Sequence, residues 1–177
     1  MTLRPYRAGE VEAVDAAMRS PEALQWLPLG PPPRSELRRR VDAGGRFVDG
    51  RIDLALEVEG RLVGEIDARR PRWCLPPGVF ELGVTVFSSG DRRRGVGTEA
   101  VGLITRHLFD SGQAHRVELT TDVDNDAMRV VAERVGFVLE GVLRCFMPTP
   151  AGRRDYALYA MTRDDWENVK ERWTQTS

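Results

Sequence analysis

A chain of 177 residues, 41% of them hydrophobic and 30% charged, is long enough to bury a core and too apolar to be disordered, so a single domain spanning residues 1–177 is expected. Its 26 Lys and Arg against 27 Asp and Glu leave a formal net charge of -1, which argues against a nucleic-acid binder, because such proteins need a broad basic surface. No apolar run approaches the ~20 residues of a membrane span and the start lacks a charged-then-apolar targeting segment. The 2 cysteines, Cys74 and Cys145, are too far apart in sequence for a redox pair or a zinc set. A cytoplasmic protein without a metal is the expectation.

Thr2 to Arg7 reads as an opening strand, and Val11, Val14, Ala17 and Met18 recur at helical spacing up to Ser20-Pro21. The stretch Trp26-Leu27-Pro28-Leu29-Gly30-Pro31-Pro32-Pro33 excludes regular structure, since proline removes a donor and restrains the residue before it. A rigid apolar loop of this kind either lines a pocket or packs on the core. Ser35 is placed to cap a helix from Glu36 to Phe47, whose Arg38, Arg39 and Arg40 read as a solvated face. Ile52–Glu59 and Leu62–Ala68 alternate apolar and polar around Glu59-Gly60-Arg61, a hairpin pattern. A loop from Pro71 to Gly78 follows, holding Trp73 and Cys74.

From Val79 a β-branched and aromatic run predicts a buried strand that breaks at Ser88-Ser89-Gly90-Asp91, and apolar Val101, Ile104 and Leu108 predict a helix from Thr98 to Phe109. Strand, glycine-bearing loop and helix together aim unpaired backbone N–H groups, backed by the helix dipole, at whatever lies over the helix start. Gly95 and Gly97 are expected to supply positive φ and close approach, and Arg92, Arg93 and Arg94 to add cationic donors. The natural guest is a phosphate. Gly95-x-Gly97-x-x-Ala100 also satisfies the dinucleotide fingerprint, with Asp122 about where a ribose-binding acid would stand. Against an NAD-type oxidoreductase, the loop follows several meander strands instead of opening the domain.

Ser111-Gly112 ends that helix, and Arg116–Thr121 reads as a strand parallel to the earlier one through a helical crossover. Asn125 leads into a helix from Ala127 to Val135 stopped by Gly136; Phe137–Phe146 and Tyr156–Met161 form a closing hairpin, and a charged helix from Asp164 to Trp173 follows. His107 and His115 read as structural. The order gives an α/β (α+β) fold, a central mixed sheet of roughly seven strands flanked by helices.

Arg92-x-x-Gly95-x-Gly97 resembles the pyrophosphate loop of the GCN5-related N-acetyltransferases, and the element order resembles their fold over nearly the whole chain. Glu81-Leu82-Gly83, Gly97-Thr98-Glu99-Ala100, Asn125-Asp126-Ala127, Glu133-Arg134-Val135-Gly136-Phe137, Glu140-Gly141 and Asp155 are similar to the RimJ/RimL-like branch. The resemblance implies a parallel strand pair at the cofactor site and acetyl-CoA as acyl donor. It places pantetheine and thioester on Thr85, Val86 and Phe87, the pyrophosphate on Arg93, Arg94, Gly95, Val96, Gly97 and Thr98, and the pantetheine-side asparagine at Asn125. The implied reaction is direct transfer of acetyl to a primary amine, a peptide N-terminus or a small molecule, by a monomer or a homodimer. A non-catalytic acyl-CoA sensor is the alternative.

Direct transfer needs a neutral amine and a proton for the leaving thiolate. Glu81 is the expected base, since it lies on the strand of the thioester donors among apolar neighbours that would raise its pKa; the alternative is a carboxylate paired with an arginine of a neighbouring strand. At ~3.3 Å per residue Glu81 stands roughly 13 Å along the strand from Thr85, so a water relay is implied. Glu118 and Asp122 are its backups. Met128 and Ala132 stand where relatives carry a serine or a tyrosine, which leaves the thiolate's proton to water, Ser88 or Tyr156.

Overall fold

The structure, a computed structural model, describes residues 1–70 and 76–174, so the loop residues Trp73 and Cys74 lie outside the described residues. Its strands are β1 (Thr2–Arg4), β2 (Arg51–Val58), β3 (Arg61–Arg69), β4 (Val79–Val86), β5 (Arg116–Asp122), β6 (Val138–Thr149) and β7 (Gly152–Thr162). Its helices are α1 (Val11–Met18), α2 (Pro21–Leu24), α3 (Arg34–Asp42), α4 (Val96–Asp110), α5 (Asp126–Val135), α6 (Arg163–Val169) and α7 (Glu171–Thr174). The strands form one 7-stranded sheet in the order β1-β2-β3-β4-β5-β7-β6. All neighbours are antiparallel except β4 and β5, which the α4 crossover makes parallel.

Each turn has a local reason. Between β2 and β3, Glu59 and Gly60 both take positive φ, 51° and 77°, the two-residue turn whose twist matches that of the strands. Ser20 caps α2 by accepting from the Ala23 N–H, Thr162 caps α6 from Asp165, and Gly136 at φ 110° stops α5. Ser35 caps nothing. Helix α3 starts at Arg34 behind Pro33, whose fixed φ suits a helix entry, and ends at Asp42 because Gly44 and Gly45 turn left-handed.

Helices α4, α5 and α6 cover one face of the sheet, and α1 and α3 cover part of the other. Phe80, Leu82, Ile66 and Leu56 pack against Val101, Ile104 and Leu108 of α4, where Trp166 of α6 stacks on Phe109 at 5.6 Å. Each such side chain contributes about 1.5–3 kcal/mol by leaving water. On the opposite face Val11, Val14 and Met18 of α1 and Leu37 of α3 close over Ala55, Tyr6 and Phe87. That second face is only partly apolar. Alternate positions of β2, β3 and β4 there carry Arg51 and Asp53, Glu65, Asp67 and Arg69, then Glu81 and Thr85.

Candidate functional site

Helix α4 begins two residues earlier than its apolar spacing predicts. Gly95 is the N-cap in the left-handed region, φ 83°, and Val96 and Gly97 already belong to the first turn. Gly97 therefore owes nothing to positive φ; a Cβ there would sit 3.5 Å from Val131 Cγ2, an ordinary contact. Arg93 is the residue that joins Gly95 in the left-handed region, φ 59°. Among the described residues no hydrogen bond uses the backbone N–H groups of Arg93 through Thr98, and nothing lies within 4 Å of the position a Gly95 Cβ would take. A row of free donors at the start of a 15-residue helix, opening on empty space, is suited to an anion.

The three arginines do not act alike. Arg92 is turned inward: its Nε and Nη2 donate to the Val86 carbonyl at 3.3 and 3.2 Å, and Nη2 to the Glu22 carbonyl at 2.8 Å. It straps α2 and the end of β4 to the loop. Arg93 and Arg94 are exposed, Arg94 standing 3.9 Å from Asp91. Asp91 itself is buried and takes a two-pronged contact from Arg61, at 2.8 and 2.6 Å, that holds its carboxyl below the usual carboxylate range.

Behind the loop the parallel pair opens. Strands β4 and β5 register only at Val79 with Arg116, Phe80 with Val117 and Glu81 with Glu118, and then diverge. From Leu82 to Val86 the edge of β4 that faces β5 has no strand partner among the described residues, although its other edge stays paired to β3 from Arg69 back to Gly64. A free strand edge offers alternating N–H and C=O groups to an extended ligand. The backbone of Thr85 faces β3, where it pairs with Glu65, and Thr85 reaches the cavity by its side chain; Leu82, Val84 and Val86 present their backbone groups on that edge. Phe87 does not: its N–H donates to the Val63 carbonyl at 3.0 Å and its ring belongs to the core under α1.

A cavity of about 510 Å³ fills the splay. Gly83, Val84 and Thr85 line it from β4, Thr120 and Asp122 from β5, Asn125 and Met128 at the start of α5, and Tyr156 from β7. Its roof is the proline-rich loop, with Trp26, Leu29 and Pro31 to Pro33. Asn125 caps α5, its Oδ1 accepting from the Met128 N–H at 3.2 Å, so its amide NH2 remains to meet a ligand. Among the described residues no hydrogen bond involves the Tyr156 hydroxyl, whose pKa is raised by burial and by nearby Asp122, so it stays protonated. The Ser88 hydroxyl accepts from the Gly90 N–H in its own turn and is not among the residues that line the cavity.

The floor of the cavity is a ladder of alternating charge. Arg40 reaches in from α3, 2.5 Å from Glu36, 3.6 Å from Asp53 and 3.6 Å from Glu65. Arg51 lies 2.7 Å from Asp53 and 3.2 Å from Asp67, and Arg69 lies 2.7 Å from Asp67 and 3.0 Å from Glu81. Arg40 is thus the exception to the solvated face expected of its neighbours, its side chain only 11% exposed. Sequence pattern gave no sign of it, because its partners come from β2 and β3. Glu81 takes the second of its two readings: its neighbour is the Arg69 guanidinium of β3, not an apolar wall, and it is not among the residues that line the cavity. Glu65 and its partner Tyr6 were missed, although a glutamate inside the alternating Leu62–Ala68 strand was a signal that could have been followed.

A strand that splays from its parallel partner beside a donor-rich helix start defines the class, and comparison with known sequences gives the family. Residues 1–138 match the family model of the Acetyltransferase (GNAT) domain, and the chain belongs to that family. A segment of 77 residues is 29% identical to the Bacillus subtilis protein YdaF, described as a candidate ribosomal N-acetyltransferase, covering 44% of this chain and 42% of YdaF. The match therefore spans less than half the length of that relative. Among solved structures, a GCN5-related N-acetyltransferase from Brucella melitensis is 27% identical with TM-score 0.74, covering 97% of this chain and 80% of the other. The aminoglycoside acetyltransferase AAC(6')-Ib, solved with coenzyme A, has TM-score 0.75 at 16% identity over 96% of this chain and 98% of its own, a likeness of fold.

Proposed function

We propose that this chain is an acyl-CoA-dependent N-acyltransferase that moves acetyl from acetyl-CoA to a primary amine by direct attack in a ternary complex. The observation that carries the reading is the succession of two features: the edge of β4 without a strand partner, Leu82 to Val86, is followed after one short loop by the free N–H groups of Arg93 to Thr98. An extended amide-bearing arm fits the first and a diphosphate the second, and coenzyme A joins the two in one molecule. Residues of the chain would then divide the work. Thr85 and Val86 bind the arm and hold the thioester carbonyl; Arg93, Arg94, Gly95, Val96, Gly97 and Thr98 neutralise the diphosphate; Arg92 fixes the geometry between them. Asn125 orients the arm from the other side of the splay.

Tyr156, protonated and on the β5 side of the cavity, is placed to hand a proton to the departing thiolate, the role that Met128 and Ala132 leave open. The acceptor enters beneath the Trp26–Pro33 roof. A peptide α-amine or a small-molecule amine fits; the partial likeness to YdaF favours the former and the RimJ/RimL-like branch.

A two-stage experiment tests this. Acetyl-CoA should raise the melting temperature and NADH should leave it unchanged, since only a ligand of the folded state shifts it. Thiol release is then measured over peptide α-amines, free amino acids, polyamines and aminoglycosides. Stabilisation by NADH alone sinks the reading, and stabilisation by acetyl-CoA with no acceptor in the panel replaces it with the sensor.

A further inference from the structure

We infer that Glu65, on the strand beside the thioester donors, is the carboxylate that takes the proton from the incoming ammonium group. The inference rests on the transfer reaction proposed above. It starts from register. Glu65 is the direct cross-strand partner of Thr85, whereas Glu81 is the partner of Arg69, two rows away. Between those rows stands Gly83, and the space its side chain would fill is taken: a Cβ there would lie 2.7 Å from Asp67 Oδ1 and 3.0 Å from Arg69 Nη1. The Asp67–Arg69 pair thus forms a wall that separates Glu81 from Thr85. No such wall separates Glu65.

The surroundings of Glu65 suit a base. It lines the cavity at 7% exposure; Tyr6 donates its hydroxyl to Oε2 at 2.7 Å, and Oε1 accepts no hydrogen bond among the described residues, its nearest cation being Arg40 Nη1 at 3.6 Å. The groups facing it are Tyr6 ahead of α1, Arg40 on α3, Asp53 on β2 and Asp67 on β3. Burial is the largest influence and pushes its pKa up to about 7; Arg40 and the Tyr6 hydroxyl pull it down, Asp67 and Asp53 push it up. A carboxylate poised there is half charged at neutral pH, where a base works best.

The balance of atoms is simple. An N–H bond of the ammonium breaks and an O–H bond forms on Glu65, freeing the nitrogen lone pair. That pair forms the C–N bond to the thioester carbon as the C–S bond breaks. The nitrogen gives up a second proton, which replaces the one Tyr156 delivers to the sulfur. Glu65 returns its proton to water through the cavity mouth.

The test is the pH profile of kcat/KM for wild type, Glu65→Gln, Glu81→Gln and Tyr6→Phe, with an amine from the panel above and the acetyl-CoA melting shift as a check on folding. Wild type should show an ascending limb near pH 7 that disappears in Glu65→Gln, together with a ~10²–10⁴-fold loss in rate. Tyr6→Phe should keep the limb but move it to higher pH, because the charged form loses a donor. That shift also decides the matter should Glu65→Gln fail to fold. A limb lost in Glu81→Gln and kept in Glu65→Gln overturns the inference, as does a limb that Tyr6→Phe leaves in place. If wild type releases no thiol with any amine, the transfer reading itself falls, a separate outcome.

Discussion

The loop before α4 and the charged floor under the Trp26–Pro33 roof are built on opposite principles. The loop presents backbone N–H groups from one contiguous stretch, Arg93 to Thr98, without hydrogen-bond partners among the described residues and shaped by two left-handed residues. The floor is made of side chains from α3, β2, β3 and β4, several of them buried, each charge balanced by a neighbour from another element. The difference is one of desolvation. Amides keep no net charge and cost little when the site stands empty, whereas a buried carboxylate must be partnered in every state. The loop can therefore wait for its anion in water. The floor has to be complete before any ligand arrives.

Removing a partner from the floor is accordingly the largest disruption. Arg40→Ala takes from buried Glu65 its nearest cation and leaves Asp53 to Arg51 alone, and should cost about 3–5 kcal/mol of stability at pH 8, read by chemical denaturation. The sign with pH follows from Glu65. Its folded pKa, about 7, lies above the unfolded value, so its ionisation destabilises the fold progressively as pH rises from the unfolded pKa through 7. With Arg40 gone the folded pKa rises further, and the variant should lose less stability at pH 6 than at pH 8. Equal losses at both would show that Glu65 stays charged and that the floor tolerates it.

The contrast also explains what the sequence could and could not disclose. The cradle was legible because its parts are neighbours along the chain: a strand end, glycines and a helix start in the interval from Val79 to Phe109. A sheet of roughly seven strands and its parallel pair were legible for the same reason, through turn residues such as Gly60 and stops such as Gly136. The partners of Arg40 and of Glu81 were not, since Asp53, Glu65 and Arg69 reach them only through strand register. A helical arginine reads as solvated and a strand glutamate as a base until the neighbouring column is known.

On the loop, expected effects are smaller and concern the ligand more than the fold. Gly95→Ala forces a Cβ onto a residue at φ 83°, a left-handed cost of about 1–2 kcal/mol. Relief comes only by turning the loop, which misaims its N–H groups. The melting temperature should fall by a few degrees and the added shift from acetyl-CoA should shrink markedly, measured by thermal denaturation with and without ligand. A shift of full size would mean that the diphosphate is held by Arg93 and Arg94 side chains instead of by backbone.

Gly97→Ala sharpens the point with the smallest effect. The loop pattern treats Gly95 and Gly97 as equivalent, yet Gly97 is helical and its Cβ would meet Val131 Cγ2 at an unstrained 3.5 Å. Alanine is the better helix former by about 0.8–1 kcal/mol in a helix interior, and less within the first turn, where the backbone is only half committed. The variant should therefore match or slightly exceed wild type in melting temperature and retain the acetyl-CoA shift. A protein that folds as well but loses the shift would place the diphosphate against the Gly97 Cα itself, making close approach, and not backbone conformation, the reason for that glycine.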